Sequence, residues 1–473
     1  MEARGYRRQV GLFSATMLIA GSMIGSGVYI VAAEMTRVGG TGSFLLLAWG
    51  LTAAMTVCGA LSYGELAGLF PRAGGQYTYL RETYGPLTGF LYGWTFFAII
   101  ECGTIAAVGT AFGKYLGVFF PGVNDGRWLL GPWHLPAWHP TSSIAVGPYD
   151  LGITTARLAG IAVILLLSAV NAYGISLGTR VQNLFTVTKI ACLAGLVVLG
   201  WLVPPLLGSS PAAVSPSPGD QTLPFLAALL VVQTGSLFSA DAWNSVTFIA
   251  GEVTEPRRTI PLSLLIGTTL VCGLYLLANA AYLHLLGPAG IAGATADRVG
   301  SAALKALFGP AGELAMAGAI LISVFGCQNG LVLSGARVYQ TMAVDGLFLH
   351  RAAGLSKRGV PTFALAIQAA WACLLALSGT YGQLLDYVIF AALLFYFLTV
   401  LGVFVLRWRR PELERTVRVF AYPVLPGLYL AGALAIMAAL LIYRPAFTWP
   451  GLAIVALGLP LYALRGAGGR ASG

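Results

Sequence analysis

Apolar runs of roughly twenty residues recur along this chain from one end to the other, and no other feature restricts it as much. A helix of that length crosses about 30 Å of hydrocarbon. Composition agrees: 57% of the 473 residues are hydrophobic and 9% are charged, where a soluble domain carries about 25% charged residues. No soluble fold of this size hides so much apolar surface. The chain is expected to be an all-α integral membrane protein, with one membrane domain over 1–473. The first apolar stretch continues without a small-residue cleavage pattern, so no cleavable signal peptide is expected.

Hydropathy predicts twelve spans: 11–35, 43–70, 87–119, 155–173, 184–207, 223–249, 260–286, 312–343, 362–378, 384–406, 422–443 and 449–464. An even number puts both termini on one side. On that side lie 19 Lys and Arg residues and on the other 7, with Lys189 inside a span. Excess Lys and Arg mark the cytoplasmic face, so both termini are expected inside the cell (inner) membrane. The net charge of +10 thus belongs to short loops and gives no reason to expect nucleic-acid binding. All six cysteines (Cys58, Cys102, Cys192, Cys272, Cys327 and Cys373) fall inside apolar spans and read as small buried hydrophobes. The outer loop 120–149, rich in Pro, Gly and Trp, reads as an ordered cap. Its His134 and His139 lack further ligands, so neither a metal site nor a cofactor is expected.

Two spans look interrupted. The first contains Gly21-Ser22-Met23-Ile24-Gly25-Ser26-Gly27, and each glycine costs a helix ~1 kcal/mol relative to Ala. The sixth contains Gln233-Thr234-Gly235-Ser236-Leu237-Phe238-Ser239-Ala240-Asp241-Ala242-Trp243-Asn244, a polar cluster expensive as ordinary helix in lipid. Non-helical backbone at this depth persists only where it is buried or lines a cavity. If the core is five plus five spans (11–207 and 223–406, followed by 422–464), the breaks occupy matching positions of two inverted repeats and point to a transporter binding site. Past the first break, N–H groups near Ser26 and Gly27 suit an anion. At the second, carbonyls near Phe238, Ser239 and Ala240 suit an ammonium group. Together they match a zwitterionic amino acid.

The stretch Ala20-Gly21-Ser22-Met23-Ile24-Gly25-Ser26-Gly27-Val28-Tyr29 resembles the first-helix substrate motif of the amino acid–polyamine–organocation superfamily, most nearly its L-type amino acid transporters and their bacterial relatives. Leu61-Ser62-Tyr63-Gly64-Glu65-Leu66 with Phe70-Pro71-Arg72-Ala73-Gly74-Gly75-Gln76-Tyr77, Val181-Gln182-Asn183-Leu184-Phe185-Thr186-Val187-Thr188-Lys189, and Gly251-Glu252-Val253-Thr254-Glu255-Pro256-Arg257-Arg258-Thr259-Ile260-Pro261 resemble further family segments. The resemblance implies a five-plus-five inverted-repeat fold with two trailing helices. It implies that Ser26 and Gly27 hold the substrate carboxylate, with Gly21, Ile24 and Gly25 along the same break. The Phe238 carbonyl would take the α-amino group, its ring would form an outer gate, and Ser239, Ala240 and Asp241 would line the second break. Asp241 is an acid where many L-type members carry a small residue. It either faces the pocket or caps the inner half-helix.

The same resemblance puts Lys189 where sodium-coupled relatives hold a sodium ion, so coupling to sodium is not expected. Residue numbering alone places Lys189 near the start of span five, where it would otherwise snorkel. Glu101, mid-span three, would be a helix–helix tether or a proton carrier. Glu65 and Asp386 would support the inner gate or packing. Human family members are disulfide-linked to a glycoprotein through an outer-loop cysteine. This chain has no cysteine in an outer loop, so no such accessory subunit is expected. The expected function is sodium-independent amino acid transport by proton symport or exchange. The alternative is a membrane sensor that binds the same ligand without moving it. An enzyme is not expected, since the Gly-rich stretch lies inside a span rather than in a βαβ unit.

Overall fold

The computed structural model of the chain describes residues 6–136, 138–141, 144–146, 149–203, 223–378 and 381–469. Its helices are, in order, α1 (Leu12–Met23), α2 (Val31–Gly39), α3 (Gly42–Leu69), α4 (Gln76–Tyr84), α5 (Pro86–Thr95), α6 (Glu101–Phe119), α7 (Thr155–Ala172), α8 (Ile175–Leu202) and α9 (Phe225–Val231). There follow α10 (Gln233–Ser239), α11 (Ser245–Phe248), α12 (Pro256–Ala292), α13 (Val299–Phe308), α14 (Pro310–Val344), α15 (Thr362–Ser378), α16 (Tyr381–Arg409), α17 (Val424–Tyr443) and α18 (Pro445–Gly469). Eight described helical stretches are long and apolar enough to cross a membrane. Shorter apolar helices, among them α1, the pair α9–α10 and α15, lie between them.

Local chemistry sets many of the ends. Thr41 caps α3 by accepting from the Phe44 N–H at 3.2 Å, and Thr154 caps α7 by accepting from the Arg157 N–H at 3.1 Å. Pro86 and Pro310 open α5 and α14, where a missing N–H costs nothing. α5 runs into α6 through a π-helical turn at Phe96–Ile100, which leaves Glu101 as the first residue of α6.

α14 is the central helix and packs on α1, α6, α7, α8 and α15. Small residues bring backbones together at the α6–α7 crossing, where a methyl on Gly113 would lie 2.1 Å from the Ala156 carbonyl oxygen. On the side of the N-terminus, Arg337 of α14 makes a two-pronged ion pair with Glu252 (3.0 and 3.1 Å), and both side chains are only 1% exposed. The N–H groups of Gln9 and Val10 donate to the Glu252 carbonyl, so the chain start is pinned beside this pair. Glu65 of α3 likewise accepts from Arg407 of α16 at 2.9 and 2.6 Å and from the Val419 N–H.

Several sequence expectations change. Span five, expected from residue 184, begins at Ile175. Polar Thr179, Gln182 and Asn183 lower the hydropathy of its first turns, yet they bond inside the protein to Ile175, Asn329 and Ser14. Lys189 therefore sits mid-helix and not near a helix start. The segments between spans two and three and between seven and eight, read as loops, contain the helices α4 and α13. The outer loop forms two antiparallel ribbons, β1 (Trp128–Leu135) with β4 (Tyr149–Thr154) and β2 (Trp138–Thr141) with β3 (Ile144–Val146). His134 pairs with Asp150 at 2.6 Å, and the described residues contain no cluster of three or more potential metal ligands. The side chains of His139 and Asp386 lie outside the described ones.

Removing one member of a buried ion pair strands the other charge, at a cost of roughly 3–5 kcal/mol. Arg337→Met should therefore lower the thermal midpoint of the detergent-solubilised protein sharply. Adding Glu252→Gln to it should recover part of the loss in the same melting assay.

Candidate functional site

The two interrupted spans face each other across one cavity. α1 stops at Met23, Ile24 turns extended (ψ 90°), and a single 3-10 turn over Gly27–Tyr29 precedes α2. α10 stops at Ser239 and α11 starts at Ser245, with Ala242 between them in the left-handed region at φ 63°. A non-glycine residue held there is uncommon and strained.

A helix end in the membrane interior exposes carbonyl oxygens that need donors. Here each has one. Lys189 of α8, fully buried, donates to the carbonyls of Gly21, Ile24 (2.7 Å) and Ser323 (3.2 Å), using all three ammonium protons. Ser323 of α14 donates to Ile24 and Gly25, and Cys327 to Ser22. Tyr275 of α12 spans both breaks, with its hydroxyl 2.9 Å from the Met23 oxygen and 3.0 Å from the Ser239 oxygen. The positive charge of Lys189 also complements the C-terminal end of the α1 dipole.

The breaks touch at Gly27. A methyl there would lie 2.1 Å from Ser239 Oγ and 3.1 Å from Ser239 Cα, so only glycine admits this approach. A cavity lies beside the contact. The first break lines it with Gly25, Ser26 and Gly27, and the second with Phe238, Ser239 and Asp241; Glu101 lines it from α6. Asp241 accepts from the Tyr396 hydroxyl at 2.6 Å, and no side chain caps α11 by hydrogen bonding. The Gly27 N–H donates to no backbone acceptor among the described residues. The Phe238 carbonyl takes the Asp241 N–H at 3.1 Å, and the Ala240 N–H also points to it.

The other candidates lie apart from the cavity wall. Gly21 packs under Gln182 and Thr186, and with Ile24 it supplies carbonyls to Lys189. Ala240 lines a neighbouring cavity that shares Asp241 and Tyr396 with the first. On the cavity wall itself, Glu101 Oε1 has no hydrogen-bond partner among the described residues. Sequence reasoning did not single out Tyr396, Tyr92 or Cys327, which lie in apolar runs where a polar tip is indistinguishable from packing. Nor did it single out Gln76, whose Oε1 accepts from Asn244 at 3.0 Å on the cavity wall.

With this geometry in hand, comparison with known proteins is decisive. The amino acid permease family model matches residues 10–461. The chain belongs to the amino acid permease family. It is similar to the serine/threonine exchanger SteT of Bacillus subtilis, with 30% identity covering 98% of this chain and 97% of that protein. It also resembles the mouse b(0,+)-type amino acid transporter 1, at 28% identity over 95% of this chain and 86% of the relative. The human large neutral amino acids transporter small subunit 2 is 28% identical over 97% of this chain and 80% of its own length. These relatives are transporters and exchangers, and this permease is a multi-pass membrane protein and not an enzyme.

The two glycines of the first break differ in a measurable way. A methyl on Gly25 meets Cys327 Sγ at an ordinary 3.4 Å, whereas one on Gly27 collides with Ser239. Gly27→Ala should cut labelled amino acid uptake severely and Gly27→Val should abolish it, while Gly25→Ala should retain most of it. Equal loss in the Gly25 and Gly27 variants would refute the contact as the cause.

Proposed function

We propose that this permease carries amino acids across the cell membrane by alternating access, independently of sodium, by exchange or proton symport. The observation that carries this reading is the meeting of the two breaks at Gly27 and Ser239 on the wall of one cavity. Donors near Ser26 and Gly27 take the carboxylate, with Gly25 beside them. The carbonyl end of α10, at Phe238 and Ser239, takes the α-amino group. Gly21, Ile24 and Ala240 shape the breaks from behind, and the Phe238 ring gates the site. The twelve spans form two inverted five-span repeats (11–207 and 223–406) with 422–464 trailing, and both termini are cytoplasmic. The six cysteines all fall within helices, which supports function without a disulfide-linked accessory subunit.

Lys189 stands in for a coupling cation: it already supplies the positive charge between the first break and α14. Uptake into proteoliposomes should persist when choline replaces sodium. A strict sodium requirement would overturn this part of the reading. Lys189→Ala should depress turnover more than the yield of folded protein, because two carbonyls at the end of α1 lose their cation. A requirement for amino acid on the opposite face identifies exchange; accumulation driven by a pH gradient alone identifies symport. Binding of substrate to purified protein without any flux would instead favour the sensor.

Asp241 sets the side-chain preference in this proposal. Its carboxylate lines the cavity and has Tyr396 as a neutral partner, so it favours a cationic or hydrogen-bond-donating side chain. Loss of that charge should cost ~2 kcal/mol, about thirtyfold in affinity. Asp241→Asn should weaken arginine and lysine competition selectively in a competition uptake assay. Equal losses for small neutral amino acids, with a lowered melting temperature, would make Asp241 a structural residue.

A further inference from the structure

α6 and α15 present two buried acceptor oxygens to the same notch on α14. A methyl on Gly335 would lie 2.6 Å from Gln368 Oε1 and 2.7 Å from Glu101 Oε1. Neither oxygen has a hydrogen-bond partner, and the side chains are 0% and 5% exposed. Gln368 is held in this orientation by its Nε2, which donates to the Val332 carbonyl at 3.2 Å. Two buried acceptor oxygens that face one notch without a donor are each left with the uncompensated cost of desolvation.

We propose that Glu101 holds a proton at this notch as a carboxylic acid whose O–H donates to Gln368 Oε1, which makes Gln368 the positioning residue of a proton-binding site at the cavity wall. One proton on Glu101 supplies the donor that this notch lacks and leaves no ionised group there. The groups facing Glu101 supply no alternative cation. They are Asp241 from the second break, Tyr92 from α5, Tyr339 and Cys327 from α14, and Cys102 on its own helix. None of the ion pairs among the described residues involves Glu101. Cys102 Sγ in turn lies 3.7 Å from the Tyr339 hydroxyl and 3.8 Å from the Gln368 backbone carbonyl, so the thiol links α14 to the backbone of α15. Because Glu101 also lines the cavity, the proton comes from cavity water and returns to it. The π-helical turn immediately before Glu101 is a helix irregularity of the kind found at functional sites.

The inference deepens the transport reading but is tested apart from it. Infrared spectra of the reconstituted full-length protein at neutral pH should contain the carbonyl stretch of a protonated carboxyl that vanishes in Glu101→Gln. In Gln368→Leu, which keeps the carboxyl and removes its acceptor, the same band should shift in frequency. A spectrum in which Glu101→Gln removes only carboxylate bands would overturn the proposal and assign an ionised Glu101 taking an N–H from a rotated Gln368 amide. A band that Gln368→Leu leaves in place would overturn the role of Gln368. In uptake assays, Gln368→Leu should move the pH midpoint toward acid by about one unit, the scale of one net hydrogen bond. A uniform loss of rate at every pH would mark Gln368 as merely structural. If the wild-type protein moves no amino acid at all, the transport reading fails while the infrared result still decides the proton site.

Discussion

A helix that ends inside a membrane leaves carbonyl oxygens without water to bond, and the architecture here depends on how those of Gly21 to Gly25 are covered. Lys189, Tyr275, Ser323 and Cys327 do so from three different helices, α8, α12 and α14. Each donor is therefore also a tether, so the break joins these helices as well as interrupting one. Lys189 is the strongest of the four because its charge and its three protons meet three acceptors at once. Burying a lone ammonium is expensive. The partial negative charge of the α1 end offsets that cost without needing a carboxylate.

The cavity inherits its polarity from the same break. The carbonyls of the first break are taken up by α8, α12 and α14, and the Gly27 N–H donates to no backbone acceptor among the described residues. The tight approach of Gly27 to Ser239 brings the end of α10 beside it. Two chain segments more than two hundred residues apart thus meet at the cavity wall. The carboxyls of Glu101 and Asp241 share the cavity without a basic partner among the described residues, and Asp241 takes the hydroxyl of the neutral Tyr396. This arrangement separates the fixed cation, behind the break, from the acids, on the open side.

Much of this was legible in the sequence because the membrane simplifies the code. Lipid tolerates only long apolar helices, so runs such as 43–70 and 422–443 announce themselves, and a Gly-Ser-Gly or an Asp at mid-span stands out as a departure. The expected positions of most spans agree with the helices to within a few residues. Hydropathy misleads where polar residues are satisfied internally. Gln182 and Asn183 read as a loop because hydropathy counts their polarity and not their partners Asn329 and Ser14, so the expected span begins at 184 although α8 begins at Ile175. α4 and α13 do not register as spans because both are too short to cross a membrane.

The sequence by itself determined the membrane class, the positions of the two breaks and the candidate identity of Ser26, Gly27, Phe238 and Asp241, because each rests on residue type against a lipid background. Tertiary structure alone decided which carbonyl Lys189 takes, that Tyr275 bridges both breaks, that Asp241 meets Tyr396, and that Glu101 and Gln368 share the notch at Gly335. Those facts concern directions of side chains on different helices. Sequence spacing encodes direction within a helix, through its 3.6-residue period, but not the rotation of one helix against another.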